Sequence, residues 1–169
     1  MTLIVFGGLP GTGKSTIAQR LVGRWPAVYL RIDAIEQALR SSGTLAADVG
    51  PAGYLAAYAL ARSNLQVGMH VVADSVNPLP ITRAAWRAVA QDCSAAVLEV
   101  EVICSDVRLH RHRIETRAGE VPGLCLPDWA SVLQHDYAPW STPRLVVDTA
   151  LCDVDDAVQS ILDAAHGVQ

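Results

Sequence analysis

The sequence has few charged residues and no long apolar run. Charged residues make up 18% of the 169 residues and hydrophobic residues 51%, a balance typical of a globular domain rather than a disordered chain. No apolar stretch approaches the roughly 18 residues that a membrane-spanning helix needs. The first residues show neither a basic leader nor a cleavage-site pattern, so no signal peptide is predicted. These absences favour a single cytoplasmic domain over residues 1–169 with no membrane contact.

Positive charge and metal-binding patterns are also scarce. The formal net charge is −4, which argues against a nucleic-acid partner. None of the four cysteines belongs to a C-x-x-C pair, and no cysteine–histidine cluster has the spacing of a zinc site. We interpret the cysteines as reduced thiols of a cytosolic protein. The N-K-x-D motif with which GTPases read guanine is missing as well.

What the sequence does contain is an alternation of short β-prone runs with helical patterns. The predicted strands are Thr2–Phe6, Val28–Ile32, Val71–Ala73, Ala96–Ile103 and Arg144–Asp148. The predicted helices are Gly13–Val22, Ala34–Arg40, Pro51 to about Gly68, Ile81–Ala90, Val107–Ala118, Asp128–His135 and Val154–Ala165. This alternation predicts a three-layer α/β/α fold with a five-stranded parallel sheet. Ligands of such sheets bind at the carboxyl ends of the strands.

A phosphate-binding loop follows the first strand. The stretch "GLPGTGKS", from Gly8 to Ser15, fits the pattern G-x-x-x-x-G-K-[ST] and lies between a strand and a helix. Glycines let the backbone turn around a phosphate with its N–H groups pointing inward, and the helix start adds a positive dipole end. We expect Lys14 to neutralise the β- and γ-phosphates and Ser15 to bind Mg²⁺. The residues expected to bind ATP are Gly8, Gly11, Thr12, Gly13, Lys14, Ser15 and Thr16.

Two carboxylates follow the next two predicted strands. Asp33 comes directly after the second strand, where it would face the γ-phosphate and accept or orient the proton of an attacking hydroxyl. The same residue also suits the N-cap of the following helix, and both roles can coexist. Asp74 ends the third strand and is expected either to hold Mg²⁺ or to bind substrate. Asn77 and Arg83 follow in the next loop and helix.

An arginine-rich helix after the fourth strand resembles the lid of a small kinase. Arg113 and Arg117 are four residues apart and share a predicted helix face, so we expect them to stabilise charge on the transferring phosphoryl group. A solvated basic face is the alternative. The predicted lid covers about residues 106–127. Trp129, Tyr137 and Trp140 come after it and either line a substrate pocket or pack in the interior.

Taken together, three stretches resemble a known enzyme family. "GLPGTGKST", "YLRIDAIEQAL" and "DSVNPLPITRAAW" are similar to the P-loop kinases that include polynucleotide 5′-hydroxyl kinases and the chloramphenicol phosphotransferase. The resemblance implies that Asp33 is the general base. It also implies a substrate-contacting segment made of Asp74, Asn77, Arg83 and Trp86, and a lid pair of Arg113 and Arg117.

These patterns lead to one preferred function and two alternatives. The preferred function is an ATP- and Mg²⁺-dependent kinase that phosphorylates a hydroxyl group of a small molecule. A kinase of nucleic-acid 5′-hydroxyl ends is one alternative, against which the negative net charge counts. The other is a nucleotide-binding ATPase or regulatory module, which would have no need of Asp33, Asp74 and the lid arginines together. An anionic acceptor would call for further positive charge from Arg31, Arg83 and Arg87.

Overall fold

Parallel strands and helices alternate along the chain, as the sequence predicts. The structure is a computed structural model, and it describes residues 1–43, 48–119 and 121–167. The strands are β1 (Thr2–Gly7), β2 (Val28–Arg31), β3 (Val71–Asp74), β4 (Ala96–Ile103) and β5 (Leu145–Asp148). The helices are α1 (Lys14–Arg24), α2 (Ile32–Ser41), α3 (Ala52–Gln66), α4 (Pro80–Asp92), α5 (Val107–Thr116), α6 (Trp129–Leu133) and α7 (Val154–Gly167).

The five strands form one parallel sheet in the order β2-β3-β1-β4-β5. Val5 of β1 pairs with Ala73 of β3, which in turn pairs with Leu30 of β2. Because every pairing is parallel, the carboxyl ends of all five strands lie at one edge of the sheet. The loops that leave this edge therefore begin side by side, although they are far apart in sequence.

The central strand β1 is buried on both faces, which creates the three layers. Leu3 and Val5 point to one face and contribute to a cluster with α3 and α4. Ile4 and Phe6 point to the other face and contribute to a cluster with α1 and α7. None of these four side chains has exposed area. Burial of each contributes about 1.5–3 kcal/mol, which explains the continuous apolar run without alternation.

Among the helix boundaries that differ from the prediction, two change the setting of the site residues Asp33 and Arg117. The prediction that Asp33 caps a helix is corrected: α2 begins at Ile32 with Arg31 in the N-cap position, because β2 runs into α2 without a loop. Helix α5 ends at Thr116, so Arg117 lies in extended backbone just beyond it. Leaving the helix lets the Arg117 guanidinium donate to the Pro127 carbonyl at 3.3 Å.

Two further sequence-based expectations concern the membrane and the cysteines. Within the residues that the structure describes, no helix is both long and apolar enough to cross a bilayer. The four cysteines, all of them described, form no disulfide with one another. The structure thus agrees with the prediction of free thiols.

Candidate active site

The loop between β1 and α1 curls around an open space at the carboxyl edge of the sheet. Its three glycines, Gly8, Gly11 and Gly13, have φ angles of 136°, 81° and 97°, which side-chain-bearing residues rarely adopt. A Cβ atom on Gly8 would also clash with the backbone carbonyl of Val102. The loop conformation therefore requires these glycines.

The N-terminus of α1 has backbone N–H groups available to bind an anion. Gly13 occupies the N-cap position, none of the described side chains caps the helix, and no acidic residue lies in its first turn. The first N–H groups of a helix need an acceptor, and they carry a partial positive charge. Ser15 and Thr16 lie in this first turn and line the same cavity as Gly11 and Gly13. This arrangement suits a phosphate group.

Lys14 is a buried cation whose ammonium group contacts no carboxylate among the described residues. Its side chain is 7% exposed, and Nζ donates to the Leu9 carbonyl at 2.8 Å. Burial lowers the pKa of Lys14 to about 8, while the negative charges of Asp74 and Asp33 act in the opposite direction. A negatively charged ligand in the loop would restore the ordinary preference for the protonated form.

Asp33, in the first turn of α2, and Asp74, at the end of β3, line the same cavity. Arg31 of β2 pairs with Asp74 of β3, and Asp33 follows two residues after Arg31. Asp74 is 3% exposed and accepts a hydrogen bond from the Tyr29 hydroxyl at 2.7 Å, with the Arg31 guanidinium 4.0 Å away. Burial raises the pKa of Asp33, and the charge of Asp74 adds to this effect. The cations of Lys14, Arg31 and Arg117 oppose it.

The oxygen atoms available beside the loop fit a magnesium ion. Ser15 and Asp74 both line the cavity, and a hydroxyl and a carboxylate are hard oxygen donors. No group of three or more His, Cys, Asp or Glu residues suited to a metal occurs in the described part of the chain. Mg²⁺ needs no such cage, because it keeps several waters and takes further oxygens from substrate phosphates. Ser15 and Asp74 are therefore the residues that would hold it.

The two predicted lid arginines reach the cavity from α5 and from the residue after it. Arg113 donates to the hydroxyl of Thr149 at 2.7 Å and to its carbonyl at 3.1 Å. Thr149 in turn donates to the carbonyl of Thr12 in the phosphate-binding loop. Arg117 has a buried Nε with no hydrogen-bond partner in the described residues, and burial lowers its pKa. Residue 120, within the predicted lid, lies outside the described part.

Helix α5 also rests directly on the phosphate-binding loop. The His110 ring nitrogen Nε2 lies 2.7 Å from the Pro10 carbonyl oxygen. A Cβ atom on Gly11 would stand 2.5 Å from Cδ1 of Ile114, so the two elements touch without room for a side chain. The His110 ring packs edge-on against Trp129 of α6, 5.2 Å between centroids. No sequence pattern predicted this contact between the helix and the loop.

One cavity of about 690 Å³ unites these groups. It is bordered by the phosphate-binding loop, the two carboxylates, the α5 arginines, the loop at residues 124–127 and the loop after β5. Of the predicted site residues, those that line it are Gly11, Gly13, Lys14, Ser15, Thr16, Asp33, Asp74, Arg113 and Arg117. Gly8 and Thr12 belong to the loop but do not line the cavity, and the Thr12 hydroxyl donates to the Leu9 carbonyl at 3.0 Å.

Asn77 and Arg83, which were expected to contact substrate, do not line the cavity. Asn77 has no exposed area, and its side-chain oxygen accepts from the Thr82 hydroxyl at 2.8 Å. Arg83 is 3% exposed and donates to four backbone carbonyls. Its donors are directed at protein atoms, so the substrate-binding expectation for this pair is corrected to a structural role. Arg87 likewise pairs with Glu99 at 2.8 Å, away from the cavity.

Three residues outside the predicted set of site residues also belong to the site. The Tyr29 hydroxyl donates to Asp74, the Arg31 guanidinium lies 4.0 Å from Asp74, and Thr149 joins Arg113 to the loop. The rule that ligands bind at strand carboxyl ends would have found Thr149, which directly follows β5. Of the aromatic residues in question, Trp129 packs on His110, and neither Tyr137 nor Trp140 lines the cavity.

Comparison with known proteins gives a family and a set of relatives. Residues 3–129 match the model of a family described as AAA domain. An uncharacterised protein of Mycobacterium tuberculosis strain H37Rv is 31% identical over 161 residues, covering 88% of this chain. This chain spans only 32% of the length of that relative and of its counterpart in Mycobacterium bovis.

Several solved structures share the fold. A candidate kinase from Chloroflexus aurantiacus has a TM-score of 0.75 at 20% identity, covering 99% of this chain and 97% of that chain. Kti12 of Chaetomium thermophilum, solved with ADP-AlF3, has a TM-score of 0.70 at 20% identity, covering 96% and 98%. A gluconokinase from Sinorhizobium meliloti has 0.66 at 17% identity, covering 98% and 94%. At these identities the likeness shows a common fold alone, a five-stranded parallel sheet between two layers of helices.

Proposed function

The chain belongs to the AAA domain family, and from this premise we propose that it is an ATP-dependent phosphotransferase acting on a hydroxyl group of a small molecule. One observation carries the proposal: Lys14, Asp33, Asp74 and Arg117 line a single cavity beside an anion-ready helix start. A protein that only binds nucleotide as a switch would need the phosphate-binding loop and Lys14 but not the two carboxylates. A partly buried carboxylate with a raised pKa beside them suits an enzyme that handles the proton of an acceptor.

In the proposed reaction the loop from Gly8 to Thr16 binds the phosphates of ATP. Bound Mg²⁺, held by Ser15 and Asp74, would supply positive charge at the phosphate oxygens. Asp33 orients the acceptor hydroxyl in line with the γ-phosphate and takes its proton. The acceptor oxygen forms the new P–O bond while the bond between the γ-phosphorus and its bridging oxygen breaks, and ADP leaves.

Positive side chains would stabilise the charge that develops during this transfer. Arg117 has a buried donor without a partner in the described residues, which suits an interaction made only when substrates are present. Arg113 is already oriented by Thr149. Together with Lys14 these groups would act as the electrostatic catalysts of phosphoryl transfer. We propose a lid of about residues 106–127 within one kinase domain over residues 1–169.

The acceptor side of the cavity supports a small molecule over a nucleic acid. The loop at Leu124–Pro127 borders the cavity, and Gly123 of the same segment lies close to Gln37 of α2. A polymer end would need an open path between these elements. The net charge of −4 also disfavours a long anionic partner. Because the sequence resembles 5′-hydroxyl kinases, a 5′-hydroxyl oligonucleotide is one of the acceptors to be assayed.

The test measures acceptor-dependent ADP formation from ATP. The panel contains sugars, sugar acids, nucleosides, aromatic alcohols and a 5′-hydroxyl oligonucleotide, and mass spectrometry identifies the phosphorylated product. Asp33→Asn is expected to abolish the acceptor-dependent part. The matched control Asp92→Asn removes a surface carboxylate that pairs with Arg62 and is expected to leave it unchanged.

Three outcomes separate the candidate functions. A phosphorylated small molecule supports the proposal. Phosphorylation of the oligonucleotide alone would replace it by the nucleic-acid alternative. ATP hydrolysis that no acceptor stimulates and that Asp33→Asn leaves unchanged would indicate an ATPase or regulatory module instead.

A further inference from the structure

Two buried carboxylates lie in β4, where a parallel sheet usually has apolar residues. Glu99 and Glu101 are 5% and 8% exposed and, two residues apart, point to the same face of the sheet. Burying a carboxylate is costly unless it is paired and hydrogen-bonded. Their partners, at 2.6 to 3.1 Å, are Arg87, Thr142, Arg144 and Tyr137.

Three of these four partners belong to one irregular segment. We call residues 134–144, between α6 and β5, the strap. Glu101 accepts from both Tyr137 and Arg144, and Glu99 accepts from Thr142. The two glutamates therefore hold the strap against the face of the sheet through these hydrogen bonds. The strap begins directly after the last residue of α6.

The strap places Trp140 against the last residue of β1. Trp140 is 8% exposed, and its indole N–H donates to the Tyr137 hydroxyl at 2.7 Å. A Cβ atom on Gly7 would stand 2.5 Å from Cζ2 of the Trp140 ring. Gly7 immediately precedes Gly8, the first residue of the phosphate-binding loop. The indole thus forms a flat support under the point where this loop leaves the sheet.

Arg83 joins the strap to the loop that follows β3. Its guanidinium donates at 2.7 to 3.1 Å to carbonyls on both segments, namely those of Asn77, Pro78, Ala138 and Pro139. Its central carbon lies 4.1 Å from the centroid of the Trp140 ring. No carboxylate in the described residues forms an ion pair with it, so the four carbonyls and the aromatic face compensate its burial.

The loop after β3 in turn holds the phosphate-binding loop. The Gly8 N–H donates to the Val76 carbonyl at 3.0 Å, and the Ala138 N–H donates to the Pro78 carbonyl at 3.0 Å. Asp74 lies two residues before Val76. Arg83 and Trp140 thus fix the relative positions of the segment that carries Lys14 and the segment that carries Asp74, although neither lines the cavity.

We propose that Arg83 and Trp140 are positioning residues that set the phosphate-binding loop in its nucleotide-binding geometry. The proposal rests on the nucleotide site of the proposed function, but it does not depend on the acceptor. Amide groups bind a phosphate well only when several of them point to one place, so a small shift at Gly7 and Gly8 weakens nucleotide binding.

The test compares the affinity for MgADP of matched variants of the full chain, measured by calorimetry well below their melting temperatures. Arg83→Lys keeps the charge but loses the planar fork of donors, and Trp140→Leu loses the flat ring. Both are expected to weaken MgADP binding at least about tenfold. Trp140→Phe keeps a ring on Gly7 and is expected to restore most of the affinity. Arg87→Lys, one turn further along α4, should lower the melting temperature while leaving the affinity within about twofold.

Distinct results would overturn this inference and the proposed function. Folded Arg83→Lys and Trp140→Leu variants that bind MgADP like the wild type would refute the positioning role alone. The positioning role is also refuted if Trp140→Phe loses as much affinity for MgADP as Trp140→Leu. This comparison tests the role of the aromatic ring even if Arg83→Lys fails to fold. A wild-type chain that does not bind MgADP would remove the nucleotide site itself.

Discussion

Nucleotide binding should be accompanied by uptake of a proton on Lys14. In the free protein, burial lowers the pKa of this ammonium group to about 8, so about half of the molecules carry it uncharged at pH 8. The phosphates of a bound nucleotide bring negative charge into the loop and favour the charged form again. Binding at pH 8 should therefore take up about half a proton, and binding at pH 7 only about a tenth of one.

The same shift has a cost in the stability of the free protein. A pKa of about 8 instead of 10.5 corresponds to about 3 kcal/mol of unfavourable free energy at neutral pH. Between these two pKa values the unfolded chain binds the proton and the folded chain does not, so the free protein should gain stability as the pH rises through this window. Lys14→Met removes the ammonium and should abolish this gain. At pH 7 it should be more stable than wild type by about 2 kcal/mol, after the loss of about 1 kcal/mol for the hydrogen bond to Leu9.

Calorimetry and denaturant titration check both statements. Titrating MgADP in buffers of different ionisation enthalpy gives the number of protons taken up, at pH 7 and again at pH 8. Urea titrations of wild type and Lys14→Met from pH 7 to 10 give the stability. Two results together would refute this reasoning: zero proton uptake at pH 8, and unfolding free energies of wild type and Lys14→Met that change in parallel with pH. They would show that burial does not lower the pKa of Lys14 in the free protein.

Three further predictions concern the other groups of the cavity. Because the pKa of Asp33 is raised in the folded state, its ionised form opposes folding once the pH exceeds that value, so at pH 7 Asp33→Asn should melt at or above the wild-type temperature. The same variant should reduce phosphoryl transfer by about 100-fold or more, and a lower melting temperature with full transfer would show a structural role only. Arg117→Ala should lower kcat by about 10- to 1,000-fold with little change in MgADP affinity, whereas Arg113→Ala should lower both kcat and the melting temperature, since it also loses the bonds to Thr149. Gly11→Ala should cost at least about 1 kcal/mol of unfolding free energy, because its φ of 81° disfavours a side chain and its Cβ would meet Ile114; equal stability would contradict the contact between α5 and the loop.

Much of the candidate site could be predicted because its chemistry is local or follows a strand. The phosphate-binding loop is a contiguous stretch whose glycines, lysine and serine have one physical explanation. Asp33 and Asp74 follow predicted strands of a parallel sheet, and such a sheet collects its strand ends at one edge. The N-cap prediction for Asp33 was wrong because the helix begins at Ile32 rather than at Ala34, and local patterns fix helix ends poorly.

Residues that act through distant partners could not be predicted in this way. The resemblance to P-loop kinases placed Arg83, in the helix after the third strand, in a substrate-contacting segment together with Asp74. The Arg83 donors instead bind carbonyls of residues 138 and 139, which no local pattern links to it. Tyr29 was missed for the same reason, since its partner Asp74 is 45 residues away. Thr149 directly follows β5, so its place at the sheet edge could have been predicted, but its bond to Arg113, 36 residues away, could not.

The sequence by itself determined that this chain builds a parallel sheet with a phosphate-binding loop at its carboxyl edge, because apolar periodicity and glycine placement act over a few residues. The tertiary structure alone decided which side chains share the cavity and which are used to hold it in shape. Burial is the physical reason for this division. It lowers the pKa of Lys14, raises the pKa of Asp33, and leaves the Arg83 guanidinium donating to backbone carbonyls. The extent of burial depends on the packing of segments that lie far apart in the chain.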